Sequence, residues 1–275
     1  MKLINTVNNK EINFDGEKIL LSERESSGID ADHSLSSGNH DGAMYMGGRL
    51  RERNMSLIGC LNINPTRFQV EKRKLSSIIN PLHLVRVIHE NCIIEGYPVS
   101  TVKFAYNYEE NITGLYKFVI DIVCPDPFWK DIIIGEQIST WIGGLKFKFK
   151  LPFKFKQKGK SKKNIINDGD VETFIEVFFK GPAVNPCVQN NSTGDFIKVN
   201  RGLTSDDTLY ISTEFGHRKV EIVRNGVKEN AFHYIDPKSA FFQLQTGDNM
   251  IEYTTENDLD PQSVEVRYRN RYLGV

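Results

Sequence analysis

Apolar and polar residues alternate over most of this chain, and a period of two is the pattern of strands with one buried face. Residues 1 to about 63 read as strands and loops, with a strand over 18–24. Residues 26–39, rich in Ser, Gly, Asp and Asn, read as a mobile loop that orders against a neighbouring subunit. Residues 49–60 begin with mixed charge and end in Leu57-Ile58-Gly59-Cys60, which predicts one long strand running from a solvated edge into a core. The period then changes to helical. Asn64 can cap, Pro65 suits the first position and Asn80-Pro81 stops the helix. Between them Phe68, Leu75, Ile78 and Ile79 share one face, while Arg67, Glu71, Lys72, Arg73 and Lys74 form a solvated one.

Strands are expected next at 84–88, 92–94, 102–106 and 116–123, with a polar turn at 107–111. Cys124-Pro125-Asp126-Pro127-Phe128-Trp129 then ends the run, because neither proline donates a ladder hydrogen bond and each restricts the residue before it. Burial of Phe128 and Trp129 would anchor the exit chain. Strands, one helix and more strands make an α+β domain over 1–131.

In residues 145–156, Leu145, Phe147, Phe149, Leu151, Phe153 and Phe155 alternate with Lys146, Lys148, Lys150, Lys154 and Lys156, placing rings on one strand face and lysines on the other. An edge strand or hairpin guarded by lysines is the favoured reading. Contact with an acidic neighbouring subunit comes second, and a membrane or nucleic-acid role third. Residues 157–164 read as a flexible basic loop. Further strands are expected at 174–179, 196–199, 208–212, 219–224, 227–229, 241–244, 250–254 and 264–269, with Asn225-Gly226 as a hairpin turn. Short strands with regular turns and no helix predict a β-sandwich over 132–275, with 145–166 as a basic arm.

The 275 residues exceed the usual size of one core, and 35 Lys and Arg balance 35 Asp and Glu. Zero formal net charge argues against a global nucleic-acid or membrane binder and suits a subunit that assembles. Cys60, Cys92, Cys124 and Cys187 form no CxxC pair and read as free thiols of a protein folded in a reducing cytoplasm. No signal-peptide core or spanning apolar window is visible.

Chemistry is not signalled. Walker, HExxH, nucleophile-elbow and dinucleotide patterns are missing, and the six histidines are scattered. Asn167, Asp168 and Asp170 lack the later ligands of a calcium loop, and Asp206-Asp207 and Asp258 with Asp260 are ordinary turn residues. No catalytic, cofactor or metal residue is assigned. The alternative is carbohydrate binding by an aromatic ring on the sandwich; Trp141 is the only tryptophan near that domain, and Tyr210, Tyr234, Tyr253, Tyr268 and Tyr272 read as core or rim residues.

One ordered series of motifs runs through the second half: Asn167-Asp168-Gly169-Asp170-Val171; Gly181-Pro182 with Asn185-Pro186; Asn190-Asn191-Ser192-Thr193-Gly194; Asp207-Thr208-Leu209 leading to Ile211-Ser212-Thr213; Ser239-Ala240-Phe241-Phe242-Gln243-Leu244; Gly247-Asp248-Asn249-Met250-Ile251; and Arg269-Asn270-Arg271-Tyr272-Leu273-Gly274-Val275. In this order it resembles the C-terminal domain of siphovirus-type tail components, the phage distal tail proteins. The first half is a looser match, through the Asp41-Gly42 turn, residues 49–60, the capped helix and the Pro-Phe-Trp exit. The resemblance implies a ring-forming N-terminal domain and a galectin-like C-terminal sandwich. It implies a non-enzymatic virion protein, a homo-hexamer at the tail tip assembled in the host cytoplasm. Its partners would be the tail tube protein, a hub or fibre protein and the tape measure protein. Arg49, Arg51, Arg53, Lys146, Lys148 and Lys150 are the expected assembly residues.

Overall fold

The computed structural model describes residues 1–275 except 15, 17, 27, 40, 106–113, 132–133, 138–140, 143–156, 159–161 and 257–260. Two compact units result: Met1–Ile132 with Tyr272–Val275, and Ile133–Arg271. Return of the last four residues to the first unit is not legible in the sequence.

The first unit contains β1 (Lys2–Asn5), β2 (Glu11–Asn13), β3 (Ile19–Ser26), β4 (Ala31–Ser37), β5 (Ala43–Leu50), β6 (Arg53–Asn62), α1 (Phe68–Ile78), β7 (Val85–His89), β8 (Cys92–Pro98), β9 (Lys103–Phe104), β10 (Leu115–Cys124) and β11 (Trp129–Lys130). Its main sheet runs β2-β1-β7-β8-β10-β6-β3, with β9 on β10 and β11 on β8. Inward positions alternate as the pattern requires: Met55, Leu57 and Leu61 on β6 and Tyr116, Phe118, Ile120 and Ile122 on β10 are all buried. Where β6 passes β10, Gly59 is required, because a methyl there would sit 2.5 Å from the ring of Phe118 and 2.7 Å from the carbonyl of Leu20.

Helix α1 covers this core. Asn64 accepts from the Thr66 amide and Pro65 opens a 3₁₀ turn ahead of it. Phe68, Leu75, Ile78 and Ile79 are all buried, and Phe68 stacks on Tyr116 with centroids 4.0 Å apart. At the other end, buried Asn5 donates to the Ile78 carbonyl at 2.7 Å and satisfies one of the carbonyls a helix end leaves open.

The second unit is a two-sheet sandwich. Its strands are β12 (Ile134–Gln137), β13 (Trp141–Ile142), β14 (Gln157–Lys158), β15 (Lys162–Asn167), β16 (Ile175–Lys180), β17 (Ala183–Asn190), β18 (Phe196–Lys198), β19 (Gly202–Leu203), β20 (Asp207–Ser212), β21 (Lys219–Arg224), β22 (Val227–Asn230), β23 (Gly247–Glu256) and β24 (Ser263–Tyr268); β25 (Arg271–Tyr272) follows. One sheet runs β12-β24-β16-β20-β21-β22 and the other β15-β23-β17-β18, with β19 on β17. Val177, Phe179, Leu209, Ile211 and Val266 from one sheet meet Ile165, Val188, Ile197 and Ile251 from the other in a single core. Asn225 and Gly226 take φ of +50° and +80° in the tight β21–β22 turn, as the dipeptide predicts.

Several expectations are corrected. The loop expected at 26–39 contains β4, and the single strand expected at 49–60 is two, β5 and β6, broken at Arg51 and Glu52. Polar composition misled there because β4 pairs with β5 while leaving nearly every residue exposed. The flexible loop over 157–164 is instead β14 and the start of β15, while 241–244 carries only an isolated bridge at Leu244. β17 is not among the expected strands; the register shift between Val184 and Cys187 accommodates Pro186 within it. The turn at 107–111, the alternation at 145–156 and Asp258 with Asp260 lie outside the described residues.

Candidate functional site

β4 and β5 form a two-stranded sheet whose outer edges pair with nothing among the described residues. A lone hairpin of this kind is marginal in water, and three or more strands or a packing partner are needed for stability. Its apolar residues find no cover in their own unit: Leu35, Met44, Tyr45 and Met46 are 61%, 70%, 61% and 62% exposed. Tyr45 opposes Leu35 and lies 5.8 Å from the ring of His33. Met44 opposes only Ser36, and Met46 is the extra residue of the bulge, with no cross-strand partner. Asp32 carries the charge balance, receiving Arg49 at 3.3 Å and Arg51 at 3.6 Å.

The expected assembly residues therefore separate. Arg49 and Arg51 are exposed on and just after β5. Arg53 is buried: its Nε donates to the Pro127 carbonyl at 2.7 Å and its Nη2 to the Leu273 carbonyl. A guanidinium spent on the fold of its own unit is not a surface contact, which corrects the expectation for Arg53. Lys146, Lys148 and Lys150 lie outside the described residues. Leu35, Met44, Tyr45 and Met46 are not among the expected assembly residues, and the signal that could find most of them is the continuous apolar run Ala43-Met44-Tyr45-Met46 directly after Asp41-Gly42.

The ordered motifs of the sandwich pin its turns. Asn167 donates to the carbonyls of Val171 and Leu244 and accepts from the Gly169 amide, all within 3.2 Å. Buried Asn190 donates to Asn249 Oδ1 at 3.0 Å and accepts from the Ser192 amide. Asn249 donates in turn to the carbonyls of Gln245 and Gly247 and accepts from the Gln245 amide. A side chain with two donors and an acceptor oxygen satisfies several buried backbone groups at once, which explains why these positions take asparagine. Replacing Asn249 with leucine is expected to lower stability by about 3 kcal/mol, since the partners left unsatisfied each cost about 1–3 kcal/mol; urea unfolding checks this.

Asp207 closes another turn. Its carboxylate receives Arg224 at 2.7 and 2.9 Å and both the amide and hydroxyl of Thr204 at 2.8 Å. The Arg224 hydrogen bond, followed by those of Thr204, holds its pKa well below the usual carboxylate range against the opposing effect of burial. Burial pushes the Cys124 thiol up to about 12, and also raises Cys92 and Cys187. Those thiols are kept protonated and poorly nucleophilic.

Of the tyrosines considered for sugar binding, Tyr253 and Tyr268 are 5% and 6% exposed. Tyr210 donates to Glu176, and Tyr234 lies under the Arg201 guanidinium at 4.6 Å. Arg267 likewise covers Phe178 at 4.3 Å, and Arg218 covers Phe241 at 5.3 Å. A ring face occupied by arginine is not open to a pyranose. Among the described residues no cluster of three or more His, Cys, Asp or Glu is placed to hold a metal ion.

Within the sandwich, residues 168–272 match the family model described as siphovirus-type tail component, C-terminal domain. Over almost its whole length the chain is similar to the Dit protein (gp 19.1) of phage SPP1, described as a paradigm of the hub adsorption apparatus in phages infecting Gram-positive hosts. That likeness has a TM-score of 0.71 and 13% identity, and covers 98% of this chain and 99% of the other. A chain of the phage P2 baseplate, in its activated conformation with Ca, is similar with a TM-score of 0.57 and 12% identity, over 100% of this chain and 98% of that one. No curated protein matches the chain in sequence. The resemblance to siphovirus-type distal tail proteins is borne out.

Proposed function

We propose that this chain is a distal tail subunit of a phage or phage-like particle, forming a hexameric ring that joins the tail tube to the adsorption apparatus. The observation that carries the ring is the β4–β5 hairpin, which presents four large apolar side chains and, among the described residues, two unpaired edges. A second copy of the chain is the occupant this surface suits, because strand edges and apolar side chains gain most from pairing with another strand-rich surface. A head-to-tail contact that closes on itself makes a ring from one interface. Zero formal net charge leaves little repulsion to oppose it. The role is geometric and uses no reaction. The tail tube protein, a hub or fibre protein and the tape measure protein are its proposed partners, at the virion tail tip after assembly in the host cytoplasm.

Light scattering over a concentration series tests this. A mass six times that of the 31.4 kDa chain is expected. The double substitution Leu35→Lys and Tyr45→Lys should leave a folded monomer with wild-type circular dichroism, since both positions are exposed. A wild-type chain that stays monomeric at every concentration would count against self-assembly of the ring.

A further inference from the structure

We infer that Met44 and Met46 form an oxidation-sensitive site at which conversion to the sulfoxide blocks self-assembly; the assembly part rests on the ring reading above. The chain has five methionines, and their surroundings differ sharply. Met55 is 1% exposed inside the core of the first unit and Met250 is 37% exposed in the sandwich, whereas Met44 and Met46 are 70% and 62% exposed. Their own hairpin does not cover them. Across from Met44 stands Ser36, too small to shield a thioether, and Met46 occupies the bulge with no residue opposite. In the free chain both sulfur atoms therefore stand in water, on the surface that a second copy would bury.

The chemistry needs only a peroxide. The sulfur lone pair attacks one peroxide oxygen, the O–O bond breaks, and an S–O bond forms. Sulfur loses two electrons and the peroxide departs as water. The product is a polar, chiral sulfoxide in place of a flexible apolar side chain. Burying that oxygen against a second copy without a donor carries an unmet desolvation cost, so the modified hairpin favours water over assembly. Assembly and oxidation thus compete for the same two atoms. Unassembled subunits are the vulnerable form, and the assembled form protects itself.

The test treats full-length protein with dilute hydrogen peroxide, below and above its assembly concentration. Peptide masses then give the extent of oxidation at each methionine, and light scattering gives the assembly state. Below that concentration Met44 and Met46 should oxidise at least about tenfold faster than Met55. Above it, their rates should fall several-fold while that of Met250 stays constant. Pre-oxidised protein should need at least about tenfold more subunit to assemble, as expected when an apolar contact gives way to an unsatisfied polar one. The double substitution Met44→Leu with Met46→Leu should assemble normally before and after peroxide, which separates these residues from other oxidised sites.

Equal oxidation rates at Met44, Met46 and Met55 would overturn the site itself. Unchanged assembly of protein carrying both sulfoxides would overturn the effect on assembly. A wild-type chain that never assembles would overturn the ring reading and the assembly effect together, with the peptide masses still judging the site.

Discussion

Substituting Arg53 with methionine is expected to lower the melting temperature by about 10 °C, from about 3 kcal/mol at roughly 3 °C per kcal/mol for units of this size. Arg53 opens β6, and its buried guanidinium reaches two segments far away in sequence, the Pro127 carbonyl and the Leu273 carbonyl. Methionine fills the volume and supplies no donor, so the buried Pro127 bond and the part-buried Leu273 bond are both lost. Lysine should recover little, because an ammonium cannot bridge two carbonyls as the planar fork does. Calorimetry gives the size of the effect, and hydrogen exchange its place: faster exchange is expected in β6, β11 and the C-terminal peptide. Removing residues 273–275 should reproduce part of the loss, since Leu273 supplies one of the two carbonyls. A variant that melts like wild type would show that these hydrogen bonds contribute nothing net.

Asp207→Ala should destabilise the sandwich by about 2–3 kcal/mol at neutral pH, the usual range for unpairing buried donors and weakening a charge-assisted pair. Arg224 is half exposed and can turn to water, so most of the loss comes from Thr204, whose amide and hydroxyl lose their acceptor. The pH dependence has a definite sign. The folded carboxylate binds a proton more weakly than the unfolded one, so its contribution is complete above the ordinary aspartate range near pH 4. It is lost as pH falls further, because the unfolded chain takes up its proton first. The gap between wild type and Asp207→Ala in urea midpoint should therefore be constant from about pH 5 to 8 and narrow below about pH 4. A gap independent of pH would assign the effect to packing instead.

How much was legible follows from whether a signal is local. The helix is legible because its apolar positions lie within one short segment, although Asn64 and Pro65 open a 3₁₀ turn ahead of it and α1 itself starts at Phe68 without a side-chain cap. The β21–β22 turn was legible because Asn225-Gly226 specifies positive φ by itself. The motif series in the sandwich was visible as a series, but not its purpose. Asn190 meets Asn249 and Asn167 meets Leu244 across tens of residues, and only folding shows that these asparagines are interior pins. Arg53 shows the opposite failure. In sequence it ends a run of exposed arginines with Arg49 and Arg51, and nothing local separates the buried member from its neighbours.

Hydrophobic periodicity, turn residues and the two prolines after Cys124 by themselves determined that this chain is a mainly β protein with one helix and a sandwich in its second half. They could do so because strand alternation, helix capping and proline geometry are properties of neighbouring residues. The tertiary structure alone decided that the last four residues rejoin the first unit, that Arg53 is interior, and that Ala31–Ser37, inside the expected polar loop of 26–39, pairs with Ala43–Leu50 and leaves two methionines exposed. Each of these depends on which distant backbone groups find one another, and burial and pairing at that range are set by the whole fold.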